Sequence, residues 1–197
     1  LPIYLSAGQE YISASIAENM KNLNIEPNIF IQHRGHSTYL SYDAPIEALI
    51  DELLGRKTGC ANGMGGSASI HSKEKNIFGH DGLMGSQVPI AVGHCYTTKH
   101  PTIVHMGDAS AEEDYVLGAM GWASTKKLHM HCVFDGPILL NINTHRKFWH
   151  SGAGIDDENI FDRYEEEKKL LGSRAEEIHR QTKIKVENVW KKQLDKQ

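Results

Sequence analysis

The 197-residue chain lacks the features that mark membrane, disulfide-linked and nucleic-acid-binding proteins. Its apolar runs are far shorter than the roughly 20 residues that a membrane-spanning helix needs. Its first ten residues show no positive stretch followed by an apolar one, so we expect no secretory signal and a soluble, intracellular protein. The 25 acidic residues outnumber the 21 Lys and Arg, which does not favour a nucleic-acid-binding surface.

Cysteine is also scarce. Cys60, Cys95 and Cys132 are an odd, widely spaced set without a CxxC pair. This spacing argues against a disulfide framework and against a cysteine zinc site, and it predicts three reduced thiols in or near the core.

What the chain does contain is an alternation of helical and extended patterns. Apolar residues recur at helical spacing in residues 8–23 and 45–55, and residues 86–98 and 111–127 also favour helices. Short apolar runs predict strands near residues 28–33, 101–108, 128–135 and 136–146, and a glycine-rich loop is predicted for residues 59–86. The order predicts an α/β fold with a mostly parallel sheet that has helices on both faces.

The character of the sequence changes near Asp156. Residues 156–197 are dense in charge, and Ala175, Ile178, Val186 and Val189 keep a helical spacing. We therefore predict an α/β domain over residues 1–155 and a solvated helical C-terminal extension over residues 156–197, packed along one stripe.

The segment "VHMGDASAEEDY" places Asp108 at the end of a predicted strand and before a helix. In open α/β sheets, ligands bind beyond the carboxyl ends of the strands. A carboxylate there either caps the following helix or holds a hard cation such as Mg²⁺, together with phosphate oxygens of a ligand. The sequence pattern around Asp108 leaves both alternatives open.

Several glycine-rich blocks in one order carry a family resemblance. They are "GQE" at 8–10, "QHRGHS" at 32–37, "ELLGRKTGCANGMGGSASIH" at 52–71, "GHDGLMGSQVPIAVG" at 79–93, and Gly107-Asp108 before a helix, followed by "NTHRKFWHSG". This order resembles the alpha subunit of thiamine diphosphate-dependent 2-oxoacid dehydrogenases, the E1 component. The resemblance covers most of residues 4–155 and implies the thiamine diphosphate-binding fold.

The resemblance implies roles for residues at two strand exits. Asp108, flanked by Gly107 and Ala109, falls on the family's metal-binding aspartate, which holds Mg²⁺ with the cofactor's diphosphate. Arg34 falls on an arginine that contacts the diphosphate, and a planar guanidinium suits two phosphate oxygens. His33 occupies a position often taken by tyrosine. All five are expected to bind the cofactor.

Two further segments also match. Gly82, Leu83 and Met84 fall on the segment whose backbone meets the aminopyrimidine ring of the cofactor. His150 and Ser151 fall on a loop at the active-site entrance. The resemblance implies that His150 helps to hold the diphosphate and serves as a catalytic residue, whereas the serine is a regulatory site in some relatives.

Each assignment has an alternative. Arg34 is otherwise a surface arginine paired with the acidic tail, and His150 an exposed loop histidine. His33 and His36 could alternatively be two zinc ligands, although the sequence shows no second pair of ligands at the spacing of a zinc site. The glycines of the predicted loop suit either a mobile turn or close packing around a ligand; they are Gly63, Gly65 and Gly66.

Two departures from the family pattern stand out. Ala109 replaces a glycine, which is tolerable only if the position does not need a positive φ. The family's second metal ligand, an asparagine just past the next strand, has no counterpart among residues 133–137, and Asn141 and Asn143 come later. We interpret this as a missing segment near Asp135 and Gly136, either lost by the natural chain or omitted from this sequence.

The resemblance implies oxidative decarboxylation of a small 2-oxo acid with acyl transfer to a lipoyl acceptor. The expected partners are a beta subunit in an α2β2 assembly, without which the chain is inactive, and a lipoyl-bearing acyltransferase. The expected compartment is the cytoplasm, or the mitochondrial matrix in a eukaryote. The alternatives are thiamine diphosphate-dependent ketol transfer, or a degenerate subunit that binds a partner without cofactor, for which Ala109 and the missing asparagine argue.

Overall fold

A computed structural model describes residues 2–128, 139–140, 142–148, 151–152, 154 and 161–196. Within these residues the elements follow in this order: α1 (Glu10–Asn22), β1 (Asn28–Phe30), α2 (His36–Ser41), α3 (Ile46–Leu53), β2 (Ile77–Phe78), α4 (Gln87–Thr98), β3 (Thr102–Val104), α5 (Asp108–Ala111), α6 (Asp114–Thr125), α7 (Arg163–Leu171) and α8 (Ser173–Leu194).

The strands form a parallel sheet in the order β2-β1-β3. Ile29 of the central strand lies opposite Ile77 on one side and Ile103 on the other. Because parallel strands exit at the same edge, the segments that follow β1, β2 and β3 meet at the carboxyl edge of the sheet.

Helices cover both faces of this sheet. Alternate residues of β1 point to opposite faces: Ile29 and Ile31 belong to one buried cluster, and Phe30 belongs to another. The first cluster includes Tyr39 of α2 and Leu49 of α3, and the second is made with α4 and α6. The predicted α/β class, with a parallel sheet between helices, is confirmed.

Some elements differ from the sequence-based prediction. The helix predicted over residues 111–127 is interrupted because Glu113 is extended, at φ −71° and ψ 133°, so α5 and α6 are separate. The predicted glycine-rich loop contains the short strand β2, and α2 follows "QHRG", where no helix was expected. Both are too short to give a clear periodic pattern.

The strand predicted over residues 136–146 does not form in its described part. Leu139, Leu140 and Ile142 are exposed. The backbone that follows pairs with the N-terminal segment instead of with a strand: the Lys147 N–H donates to the Ala7 carbonyl at 3.0 Å. A strand needs a hydrogen-bonding neighbour along its length, and this segment finds one only at isolated points.

The C-terminal extension is helical, as predicted, and consists of α7 and α8. Arg56, just after α3, links it to the domain by donating to the backbone oxygens of Gln193 and Lys196 while contacting the Asp51 carboxylate at 3.1 Å. Ile178, expected in the packed stripe, is exposed. The division at residues 155/156 stays a prediction. No helix in the described part of the chain is both long enough and apolar enough to cross a membrane.

Candidate functional site

The carboxyl edge of the sheet brings three predicted segments together. Residues 31–35 follow β1, residues 79–86 follow β2, and residues 105–107 lead from β3 to Asp108. The predicted cofactor-binding residues outside the C-terminal segment lie on these three exits or directly after them. Their common location follows from the parallel topology and not from proximity in the sequence.

Asp108 is exposed at the first helical position of α5. The capping alternative expects an aspartate at the N-cap position. Gly107 occupies that position instead, with φ −89° and ψ 173°, and no side chain caps it. The Asp108 carboxylate makes no hydrogen bond within the described residues, so its contribution to α5 is limited to the charge of an acidic residue in a first turn.

Ala109 lies inside α5 and is not among the described non-glycine residues with positive φ. The condition under which alanine can replace the family's glycine is therefore met. This departure from the family pattern does not distort the backbone beside Asp108.

Gln32 joins two of the three exits, although its role is not evident from the sequence alone. Its Oε1 accepts from the Gly107 N–H at 2.8 Å, and its Nε2 donates to the hydroxyl of the buried Ser110. A Cβ on Gly107 would lie 3.3 Å from the same Oε1. The available signal was its place in "QHRGHS", immediately after a strand whose neighbour ends in Gly107-Asp108.

Arg34 and His33 contact each other at the exit of β1. Arg34 Nη1 lies 3.0 Å from His33 Nε2, and the His33 ring packs edge-on against Tyr4 at 4.8 Å between centroids. Both side chains are half-buried. The structure thus places Arg34 beside the sheet edge. Acidic residues of α7 and α8 form ion pairs within their own helices, such as Arg180 with Glu177, and residues 156–158 of the acidic tail lie outside the described residues.

His36 is engaged elsewhere. Its Nε2 lies 3.1 Å from the Ser67 carbonyl oxygen and 3.0 Å from the Ser67 hydroxyl. Burial lowers the pKa of His36, which the hydrogen bond to the Ser67 backbone opposes in part. No group of three His, Cys, Asp or Glu side chains in the described part of the chain is arranged to hold a metal ion, so the zinc alternative gains no support.

His80, at the exit of β2, is a further residue that sequence reasoning missed. It is buried, and its ring centroid lies 5.7 Å from that of His33. Burial lowers the pKa of His80, against a smaller opposite effect of Asp81. Its Nδ1 is buried and makes no hydrogen bond to any described residue. Nothing in the local sequence distinguished it from the other scattered histidines.

The predicted aminopyrimidine segment is a tight turn. The Asp81 carboxylate accepts from the Ser86 hydroxyl and from the Leu83 N–H, the latter at 3.2 Å, and the Ser86 bond chiefly lowers the Asp81 pKa. Leu83 and Met84 expose their side chains. The Met84 carbonyl accepts from the Tyr115 hydroxyl, which leaves one lone pair of that oxygen for a ligand.

The turn depends on two glycines. Gly82 has φ +103° and Gly85 has φ +83°. A Cβ on Gly85 would lie 2.7 Å from Val116 Cγ2 of α6, whereas one on Gly82 would meet no described atom within 4 Å. Gly85 therefore permits both the backbone conformation and the close approach of α6 to the turn.

The glycines of the loop after α3 have a role that neither alternative anticipated. Their N–H groups surround the buried Glu52 carboxylate: Oε1 accepts from Gly65 at 2.7 Å and Gly66 at 2.9 Å, and Oε2 accepts from Ala61 at 2.7 Å and Gly63 at 2.9 Å. The glycines therefore pack around an internal carboxylate, so their close packing needs no external ligand to explain it.

The C-terminal part of the predicted site is described only in part. His150, the dipeptide Asp135-Gly136 and Asn141 lie outside the described residues. The segment before His150 crosses the N-terminal segment, where Gln9 Nε2 donates to Thr144 Oγ1 at 2.7 Å. Ser151 is exposed.

The chain shares its sequence pattern with a known family. The model of the family "Dehydrogenase E1 component" matches residues 3–134, which is more than half of the chain. An alpha-1 subunit of the mitochondrial pyruvate dehydrogenase E1 component from Oryza sativa subsp. japonica is 28% identical over 130 residues, covering 64% of this chain and 33% of the relative.

Two other relatives are also alpha subunits of the pyruvate dehydrogenase E1 component. The pyruvate dehydrogenase E1 component subunit alpha of Zymomonas mobilis is 27% identical over 163 residues, covering 77% of this chain and 46% of the relative. The mitochondrial subunit alpha of Dictyostelium discoideum is 31% identical over 130 residues, covering 64% and 33%. The chain thus spans between a third and a half of the length of these relatives. The extent of the family match shows that this chain belongs to the dehydrogenase E1 component family.

Proposed function

We propose that the chain is the alpha subunit of a thiamine diphosphate-dependent 2-oxoacid dehydrogenase, which decarboxylates a small 2-oxo acid oxidatively and transfers the acyl group to a lipoyl acceptor. Family membership and the names of the relatives support this function. The observation that carries it is the placement of Asp108 and Arg34 at the exits of two paired parallel strands, β3 and β1.

The residues fit a divalent cation bound together with a diphosphate. Asp108 offers an exposed carboxylate with no hydrogen bond within the described residues. A hard cation such as Mg²⁺ prefers oxygen ligands and is commonly held by one or two carboxylates plus phosphate oxygens of a ligand. A single protein carboxylate here is therefore adequate, and the absence of a three-ligand cluster among the described residues does not oppose it.

Bound thiamine diphosphate supplies the electron sink for decarboxylation, and the protein binds and orients it. In this proposal Asp108 holds Mg²⁺, Arg34 and His150 hold the diphosphate, and the turn at Leu83 and Met84 meets the aminopyrimidine through its backbone. The glutamate that activates the aminopyrimidine comes from the beta subunit. Glu52 does not replace it, because four N–H groups surround its carboxylate.

The outer faces of α4 and α6 are suited to contact a partner subunit. The exposed apolar side chains there include Ile90, Leu117 and Trp122. Gly93 and Gly118 lie on the same faces, and a Cβ on either would meet no described atom within 4 Å. Exposed apolar surface with small residues allows close packing of another chain. We propose that the beta subunit packs on this surface in an α2β2 assembly, which then acts on a lipoyl-bearing acyltransferase.

The proposal is tested by Asp108→Ala, with Asp114→Ala as the matched control. Both aspartates are exposed first residues of helices. We expect Asp108→Ala to raise the Mg²⁺ concentration needed for thiamine diphosphate binding by about a hundredfold or more, because even groups that only support a ligand contribute about 10- to 100-fold to metal affinity. Calorimetry with the beta subunit present measures this, and Asp114→Ala should bind as the parent does.

An opposite pattern would favour a structural role for Asp108. If Asp108→Ala binds cofactor normally and lowers the free energy of unfolding by about 1 kcal/mol, as lost helix-terminal interactions do, the metal assignment is wrong. Product analysis separates acyl transfer from ketol transfer. Absence of cofactor binding by the parent complex would instead support a degenerate subunit, although the helical conformation of Ala109 removes one of the two grounds for that alternative.

On this proposal the protein acts where its partners are. The relatives include mitochondrial and bacterial proteins, so the expected compartment is the mitochondrial matrix in a eukaryote or the cytoplasm in a bacterium.

A further inference from the structure

Gln32 holds the residues on both sides of Asp108. Its Oε1 accepts from the N–H of Gly107, directly before Asp108, and its Nε2 donates to the side chain of Ser110, two residues after it. Gln32 comes from the exit of β1, whereas the other residues come from the exit of β3. The Gln32 side chain thus connects two neighbouring strand exits and makes one hydrogen bond on each side of Asp108, the predicted metal ligand.

Other contacts hold the chain just before the turn that contains Asp108, residues 107–110. The His105 N–H donates to the Phe30 carbonyl at 2.8 Å, which extends the β1–β3 ladder by one residue. Gln87 Nε2 donates to the His105 carbonyl at 3.2 Å. Within the described residues, both side-chain hydrogen bonds made to Gly107 and Ser110 come from Gln32.

Both functional groups of the Gln32 amide are used, which makes the side chain hard to replace. Its oxygen faces a donor and its nitrogen faces a hydroxyl, so a hydrocarbon of the same length satisfies neither. Ser110 is buried, and its hydroxyl would then need another partner. Residues 107–110 would lose both side-chain hydrogen bonds to the segment after β1, which contains Arg34.

We propose that Gln32 is a positioning residue for the divalent-cation site: it fixes the Asp108 carboxylate relative to the exit of β1, so that the cation and the diphosphate are held in one arrangement. This inference rests on the proposed function. Gln32 touches neither ligand itself and acts through Gly107 and Ser110. Supporting groups of this kind typically contribute about 10- to 100-fold to metal affinity.

The test compares Gln32→Met, Gln32→Glu and a core control, Ile50→Val, in the complex with the beta subunit. Gln32→Met keeps the length and removes both hydrogen bonds. Gln32→Glu keeps an acceptor for Gly107, and its second oxygen can accept from the Ser110 hydroxyl. Ile50 is buried in α3 and is distant in sequence from Asp108, so Ile50→Val should lower stability without changing the turn that contains Asp108. Thiamine diphosphate binding is titrated at increasing Mg²⁺ concentrations, and the melting temperature is measured in parallel.

We expect Gln32→Met to raise the Mg²⁺ concentration for half-maximal binding by about tenfold. Gln32→Glu should stay much closer to the parent, and Ile50→Val should lower the melting temperature without changing the Mg²⁺ requirement. The inference is overturned if Gln32→Met needs no more Mg²⁺ than the parent, or if Ile50→Val raises the requirement to the same degree. If Gln32→Met does not fold, a Gln32→Glu requirement more than tenfold above the parent overturns it. A parent complex that shows no Mg²⁺-dependent binding overturns the proposed function, and this inference with it.

Discussion

The Glu52 carboxylate is buried and accepts several hydrogen bonds, so its replacement gives a quantitative test of the fold. Glu52, near the C-terminal end of α3, accepts hydrogen bonds from four N–H groups of residues 61–66. The carboxylate is 1% exposed. In Glu52→Gln, the amide oxygen can still accept two of the four N–H groups. The amide nitrogen would face the other two, and it cannot accept from them.

The expected cost follows from those two lost acceptors. A buried donor left without a partner costs about 1–3 kcal/mol, so Glu52→Gln should lower the free energy of unfolding by about 2–6 kcal/mol. The whole stability of a domain is typically about 5–15 kcal/mol. The loss is therefore large enough to shift a urea unfolding curve clearly. Glu52→Ala removes the acceptors of all four N–H groups and should cost more than Glu52→Gln.

Urea unfolding followed by circular dichroism measures the effect, with Glu47→Gln as control. Glu47 is on the same helix but exposed, so its replacement should stay within about 0.5 kcal/mol of the parent. If Glu52→Gln also falls within about 0.5 kcal/mol, the N–H groups of the glycine loop do not depend on this carboxylate, and the reasoning from hydrogen-bond satisfaction is refuted.

Three further predictions concern the turn at residues 81–86 and the outer face of α6. Gly85→Ala should lower the free energy of unfolding more than Gly82→Ala in the same urea assay, because both adopt positive φ but only Gly85 also lies against a buried valine; strain alone costs about 1–3 kcal/mol. The Asp81 pKa lies below its usual 3.8, so the ionised Asp81 side chain stabilises the fold fully above pH 3.8, and this stabilisation is lost as the pH falls through the lowered folded-state pKa. In an NMR titration, Ser86→Ala should raise the Asp81 pKa, because it removes the hydrogen bond that chiefly lowers it. Gly118→Leu should abolish beta-subunit binding in sedimentation without lowering the melting temperature, whereas Gly118→Ala should still bind; binding by the leucine variant would place the partner elsewhere.

The core elements could be predicted because their sequences repeat at the period of the structure. After Asn28, β1 and the residue that follows it form the apolar run Ile29, Phe30 and Ile31, as expected for a central parallel strand buried on both faces, and α3 carries its apolar residues at helical spacing. β2 could not be predicted, because two residues in a polar, glycine-containing segment give no pattern. Its conformation depends on pairing with β1, which is a tertiary contact.

The site shows the same division. Asp108 was identifiable because a carboxylate at a strand exit before a helix has a recognised chemical use. Gln32 and Glu52 were not, because their importance lies in partners at distant positions in the chain. The sequence does contain an indication for Glu52: a glutamate on an apolar helix precedes several glycines, whose N–H groups are accessible donors, and a buried carboxylate needs several donors.

Hydrogen-bond accounting also decides which carboxylate at the carboxyl edge is suited to a cation. Asp81, at the exit of β2, uses Oδ1 to accept from Ser86 and Leu83, and these bonds stabilise the turn after β2. Glu52 has four N–H groups on its two oxygens. Asp81 Oδ1 and both Glu52 oxygens each accept two hydrogen bonds and so have both lone pairs in use, whereas neither Asp108 oxygen accepts a hydrogen bond within the described residues. Asp108→Ala should therefore weaken binding of the divalent cation, whereas Asp81→Ala should not, because only the first change removes a ligand. The two variants are compared at the same folded fraction.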